Sequence, residues 1–262
     1  MRSLKHILIL ALIIGAGVTA WALTPVIRRA FLKEPEALPV QAPVAGDSYT
    51  KEERALFDTL GSVYNKVGQL RTYLAEGNIR LMDKADTGKS ILTPFRYCHQ
   101  DSLTYYKLGD QEIIAIPDLS ITVNHSVHKI FMSPRGNRNA GPQIFINEEQ
   151  LAALKKEQYV ITREDMAPLT VIRLTNENHR SCREYRVSYD SAMFIRRVFM
   201  RMSDEEDPAD RSLDKYITVS INNWQTANIP AELFKVSSYV QRNGDNWEPV
   251  AALRNYEVKY IY

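Results

Sequence analysis

The chain is poor in the side chains from which reactive sites are built, since only two of its 262 residues are cysteine and five are histidine. It also lacks the phosphate-binding P-loop, the glycine pattern of dinucleotide-binding folds, the Gly-x-Ser-x-Gly turn and the His-Glu-x-x-His helix. No nucleophile–base pair can be placed in this sequence. It therefore predicts a protein that is not an enzyme and needs no cofactor.

Two clusters resemble metal sites but do not meet their requirements. His125 and His128 fall in a stretch that alternates like a strand, where side chains three positions apart point to opposite faces. The acidic stretch at 204–207 lacks the Asp-x-Asp-x-Asp-Gly spacing of a calcium loop. We expect no metal site at either place.

The two cysteines, Cys98 and Cys182, are far apart in sequence. In an exported protein they can form a disulfide if the fold brings their Cα atoms within about 7 Å. Otherwise they are two separate small buried side chains. Both interpretations remain open from the sequence.

An excess of one charge is also missing from most of the chain. Five of the 33 Lys and Arg and three of the 31 Asp and Glu precede residue 51, so residues 51–262 hold 28 of each sign. Nucleic-acid-binding proteins usually carry a concentrated basic face. The sequence therefore predicts no nucleic-acid partner.

What the chain does contain is an uncharged run from Ile7 to Ile27, long enough to cross a bilayer as one helix. Its length and the Arg28 and Arg29 that follow it are typical of an uncleaved anchor. The positive charges on its two flanks nearly balance and do not give the orientation of the anchor, and we expect the domain on the periplasmic or another extracytoplasmic side. Alternatively, it is a signal peptide cleaved near Ala22, which would release a secreted or periplasmic protein. Both interpretations make the membrane a partner through residues 7–27.

Three parts of the chain follow from composition. Residues 1–33 are the anchor or signal segment, and residues 34–50 form a linker rich in proline and alanine without hydrophobic periodicity. Residues 51–262 are long enough for a single domain with one substantial core.

The domain is predicted to begin with a helix. Thr50 and Glu53 form a capping-box pattern, and apolar residues then recur at helical spacing to about residue 71. From Thr72 the period changes to two, which is typical of antiparallel strands. Strands are predicted at 72–82, 91–99, 102–108, 112–116, 119–132, 169–175, 182–189, 193–201, 215–224 and 253–262, with a short mid-chain helix at about 148–157 capped by Asn147. This order predicts an α+β fold in which the N-terminal helix packs on a large curved antiparallel sheet.

Three stretches resemble the LolA/LolB family of periplasmic lipoprotein carriers: Leu70–Met82 (LRTYLAEGNIRLM), Thr93–Gly109 (TPFRYCHQDSLTYYKLG) and Tyr216–Phe234 (YITVSINNWQTANIPAELF). The first is similar to that family's helix exit and first strand. The second is similar to its proline-aromatic strand with the paired strand, and the third to its late strand, tryptophan and Pro-x-x-Phe segment. The resemblance implies a half-barrel closed by a helical lid over an apolar cavity.

The resemblance also implies a function: shielding a lipid, a lipoprotein acyl chain or another apolar ligand from water. Strand residues that could line such a cavity are Phe95, Tyr97, Tyr105, Ile121, Val123, Val187 and Ile217. Periodicity places side chains on a shared face but does not distinguish an empty cavity from a packed core. The alternative is therefore a structural or interaction subunit of a cell-envelope complex, with a packed, ligand-free core and an envelope protein as partner.

Overall fold

The computed structural model describes residues 49–86, 90–134, 146, 148–244 and 246–261. The run at 7–27, residues 34–48 of the predicted linker and the helix cap Asn147 lie outside these residues. Of the helices in the described ranges, none is long and apolar enough to cross a membrane.

The predicted N-terminal helix is confirmed as α1, Lys51–Gly68. Its first turn is held by a reciprocal capping box: the Glu53 amide donates to Thr50 Oγ1 at 3.2 Å, and the Thr50 amide donates to Glu53 Oε2 at 2.8 Å. One face of α1 is buried, through Phe57, Leu60, Val63, Tyr64 and Val67. This face packs against the sheet, which supplies the surface that an amphipathic helix needs.

The sheet has twelve strands and is open at both edges. The strands are β1 Thr72–Asp83, β2 Ile91–Gln100, β3 Leu103–Leu108, β4 Gln111–Ile116, β5 Leu119–Asn124, β6 Lys129–Pro134, β7 Val160–Met166, β8 Leu169–Thr175, β9 Cys182–Tyr189, β10 Ile195–Met202, β11 Lys215–Gln225 and β14 Glu257–Tyr260. Their order across the sheet is β14-β6-β5-β4-β3-β2-β1-β11-β10-β9-β8-β7. Neighbouring strands are antiparallel, except that β14 runs parallel to β6. Together with α1 and the mid-chain helix α2, Glu148–Lys156, the sheet forms the predicted α+β half-barrel.

The prediction of one long strand at 119–132 is wrong. This segment is a hairpin, β5 and β6, whose turn is folded by the Asn124 side chain as it accepts from the amides of Ser126 and Val127. His128 completes the turn with a φ of +51°. Side-chain-to-backbone hydrogen bonds of this kind compete with strand pairing and so favour a turn. The apolar alternation of the sequence stays intact on either side of the turn. His125 and His128 therefore lie in a turn and not on a strand.

The chain after β11 turns back onto the sheet. Residues 226–261, here called the C-terminal segment, contain short 3₁₀ turns at Ala231–Phe234, Val236–Ser238 and Ala251–Leu253 and the separate hairpin β12–β13. The hairpin strands are Val240–Asn243 and Asn246–Pro249. The segment ends in β14, so the predicted closing strand is shorter than 253–262.

The two faces of the sheet carry separate cores. The helix face bears Ala75, Ile79 and Phe95, which join the buried residues of α1 in one cluster. The tail face bears Leu74 and Cys98, which join Phe234 and Val240 of the C-terminal segment in a second cluster. Because successive strand residues point to opposite faces, the two cores lie on opposite sides of one sheet.

Candidate functional site

The seven residues predicted to line a cavity divide between the two faces. On the helix face lie Phe95, Tyr97, Val187 and Ile217, of which Tyr97 is half-buried. On the tail face, buried in the core beneath the C-terminal segment, lie Tyr105, Ile121 and Val123. The structure therefore does not bring all seven to one surface. Of the four residues on the helix face, Phe95, Val187 and Ile217 are buried in the core that α1 covers. Tyr97 is therefore the accessible member of the four.

The helix face carries an apolar row that crosses seven adjacent strands. Paired residues on neighbouring strands point to the same face, so the register defines the row directly. Tyr97 pairs with Ala75 on one side and with Tyr106 on the other. From these, the register extends the row in both directions to give Trp224, Ala75, Tyr97, Tyr106, Ile113, Thr122 and Phe131. We call this set the apolar row.

The apolar row extends beyond the part of the sheet that packs beneath α1. Tyr97 and Trp224 pack against the helix-face core, whereas Ile113 and Phe131 belong to neither described core cluster. Ile113, Thr122 and Phe131 are half-buried, and no side chain in the row is charged. With strands about 4.8 Å apart, six inter-strand steps give the row a length of about 29 Å.

Aromatic contacts fix one end of the row. The ring of Tyr73 lies 5.7 Å from those of both Tyr97 and Trp224, and Trp224 lies 5.2 Å from Phe194. Trp224 is further held by its indole N–H, which donates to the Ile195 carbonyl at 2.8 Å. Such contacts restrict ring motion, so this end of the row is a preformed apolar surface.

Sequence reasoning selected Tyr105 and missed Tyr106 because it did not fix the turn between β2 and β3. Gln100 pairs with Leu103, leaving a two-residue turn in which Asp101 has a φ of +51°. This turn places Tyr97 opposite Tyr106 and sends Tyr105 to the other face. A shift of one residue exchanges the faces, so recognising the two-residue turn would have found Tyr106.

On the tail face a polar network secures the C-terminal segment. The buried Glu112 carboxylate accepts hydrogen bonds from Tyr239 at 3.0 Å and from Lys107, and His125 Nε2 lies 3.2 Å from it. His125 Nδ1 in turn lies 2.7 Å from the Tyr256 hydroxyl. Burial acts to raise the pKa of Glu112, but the bonds from Lys107, Tyr239 and His125 outweigh it, and the pKa lies below its ordinary value. Glu112 thus stays ionised and joins the C-terminal segment to β4.

A groove of about 480 Å³ also opens on the sheet, next to this network. Its polar lining includes Glu76, Arg96, Lys107 and Asn223. The two cations are already paired, Arg96 with Glu76 at 2.6 Å and Lys107 with Glu112. The groove is therefore a charge-balanced surface.

The two cysteines form no disulfide in this fold. They are unpaired thiols, Cys98 in the tail-face core and Cys182 beside the helix-face core. Burial raises the pKa of each to about 12, so both are protonated at neutral pH. The interpretation as two separate side chains is the correct one. Within the described ranges, no group of three or more His, Cys, Asp and Glu side chains is placed to bind a metal.

Comparisons with known proteins give weak likenesses. No family model matches the chain, and no curated protein matches it. Similar solved structures include an uncharacterized conserved protein from Thermus thermophilus (7% identity, TM-score 0.40, covering 80% of this chain and 100% of that one). They also include a DUF1329 family protein from Desulfovibrio piger (8%, 0.33, 72% and 99%). A LolA superfamily protein from Nitrosomonas europaea is similar as well (9%, 0.25, 71% and 98%). The last bears the name of the superfamily that the three sequence stretches resemble.

Proposed function

We propose that this protein is a non-enzymatic binding domain that holds an acyl chain of a lipid or lipoprotein along the apolar row. The observation that carries the proposal is the uncharged row over seven strands, in which Ile113 and Phe131 are only half-buried and lie outside both core clusters. A single domain over 51–262, held near a membrane by residues 7–27 or exported by them, suits this role.

The energetics favour a ligand that removes this surface from water. Burying apolar area gains roughly 25 cal/mol per Å², or about 0.8 kcal/mol per methylene of an acyl chain. On the adjacent strands β4, β5 and β6, the side chains of Ile113, Thr122 and Phe131 stay partly exposed, and apolar side chains left exposed side by side are typical of binding sites. Because the row has no charged side chain, it suits the hydrocarbon part of an amphiphile and not its head group.

Native mass spectrometry of the full chain, purified in detergent with phosphatidylglycerol added, tests the proposal. Ile113→Asp and Phe131→Asp place a carboxylate in the row and are expected to lower bound lipid at least tenfold, since a charge is costly to bury in hydrocarbon. The matched control is Leu92→Asp, because Leu92 is exposed and lies on the opposite face, paired with Arg80.

Folding of each variant is checked by thermal unfolding, and the conservative Phe131→Leu should retain lipid. Equal lipid binding by all variants would overturn the proposal, as would the absence of lipid from the wild-type chain. Recovery of the lipid-free wild type in a stable complex with an envelope protein would instead favour the structural-subunit alternative, which the packed positions of Val187 and Ile217 support.

A further inference from the structure

The hydroxyl of Tyr106 is an unusual feature within the apolar row. Tyr106 is only 4% exposed, and its hydroxyl oxygen is buried without a hydrogen-bond partner among the described residues. Burial is the sole cause that raises the pKa of Tyr106, so no neighbouring charge or hydrogen bond contributes to the shift.

A buried hydroxyl without a partner is uncommon and costly, and in native proteins it calls for an explanation. A neutral tyrosine hydroxyl can donate one hydrogen bond. The rest of the row supplies apolar side chains and the Thr122 hydroxyl, so the surroundings disfavour a charged group. The acceptor that best matches this position is therefore an uncharged carbonyl oxygen attached to a hydrocarbon chain.

The position of Tyr106 agrees with this chemistry. It is the fourth of the seven residues, three strands from Trp224 and three from Phe131. Three strand spacings amount to about 14 Å. The acyl chains of one leaflet fill about half of a hydrocarbon core that is roughly 30 Å thick. An acyl chain whose carbonyl lies at Tyr106 would therefore extend to the end of the row.

We propose that Tyr106 donates a hydrogen bond to the ester carbonyl of a bound acyl chain and so makes the site selective for acyl esters over alkyl ethers. This inference rests on the proposed function, because it names the ligand class of the same row. An ether oxygen is a poorer hydrogen-bond acceptor than an ester carbonyl. A diether lipid should therefore bind more weakly than the diester lipid of equal chain length.

The test compares two competitors of equal chain length and head group, diester and diether phosphatidylglycerol, for the full chain in detergent. Each displaces a phosphatidylglycerol whose acyl chain carries a photoreactive diazirine, and cross-linking to β3–β6 is measured. The wild-type chain should prefer the diester by roughly three- to tenfold, the range that one net hydrogen bond provides. Tyr106→Phe should abolish this preference.

Tyr105→Phe is the matched control, since it removes a neighbouring hydroxyl on the opposite face, where Tyr105 pairs with Ile114. It should keep the diester preference. Equal binding of the two lipids by the wild-type chain would overturn this inference and leave the proposed function intact, as would a preference that persists in Tyr106→Phe. Failure of the photoreactive phosphatidylglycerol to cross-link to β3–β6 would overturn the proposed function itself.

Discussion

Gly77 shows how a single residue sets the shape of the sheet beside the apolar row. The register between β1 and β11 shifts between Glu76 and Gly77, which marks a β-bulge. A Cβ at position 77 would lie 1.8 Å from the carbonyl oxygen of Ser220, an impossible contact with backbone. Glycine is therefore required for the close approach of β1 and β11.

Gly77→Ala is expected to destabilise the protein by about 3 kcal/mol, because the backbone of β11 must move. Denaturant unfolding of the full chain measures this effect. Gly68→Ala is the control: a Cβ there meets nothing within 4 Å, so the change should be neutral or stabilising by up to about 1 kcal/mol. Equal stability of the Gly77→Ala variant and the wild type would contradict the close approach.

Glu112 makes the attachment of the C-terminal segment sensitive to acid. Its pKa in the folded protein is lowered, so its contribution to stability is fully present above the pKa of the unfolded chain, about 4.3. This contribution is lost as the pH falls from there through the folded pKa. Glu112→Gln should therefore lower stability at pH 7 and flatten its dependence below pH 5, as measured by unfolding at a series of pH values. If Glu112→Gln and the wild type lose stability equally as the pH falls below 5, other carboxyl groups control that loss.

At the scale of elements, α1 depends on its cap. Thr50→Ala removes the acceptor of the Glu53 amide and should cost about 1 kcal/mol of unfolding free energy. Thr59→Ala is the matched control, because the Thr59 hydroxyl only donates to the Ala55 carbonyl within the helix. Thermal unfolding should show a loss for Thr50→Ala alone. An equal loss in both variants would contradict the capping role.

The predictability of each element follows the strength of its local signals. The capping box and apolar spacing of α1 agree with its packing, so the helix could be predicted almost to its last residue. The edge strand β7 could not, because Arg163, Glu164 and Asp165 interrupt its alternation and little of it is buried. Charges of this kind are common on edge strands, where they discourage pairing with another chain.

For the whole molecule, the sequence predicted one curved sheet but not its two separate cores. Alternation identifies residues that share a face within a strand, whereas the relation between strands depends on each turn. The turn at Asp101 separated Tyr105 from Tyr97, and the turn after Asn124 divided one predicted strand into two. The candidate site could therefore be predicted only in part, with Tyr97 selected and Tyr106, Ile113 and Phe131 missed.

A map of where a lipid touches the chain tests most directly whether the apolar row holds an acyl chain. The full chain is incubated with a phosphatidylglycerol bearing a diazirine in its acyl chain, irradiated and digested, and the labelled peptides are identified by mass spectrometry. Labels are expected on the strands that carry Tyr106, Ile113 and Phe131, with less labelling in Phe131→Asp and the wild-type level in Leu92→Asp. Labels confined to residues 7–27 would contradict this expectation.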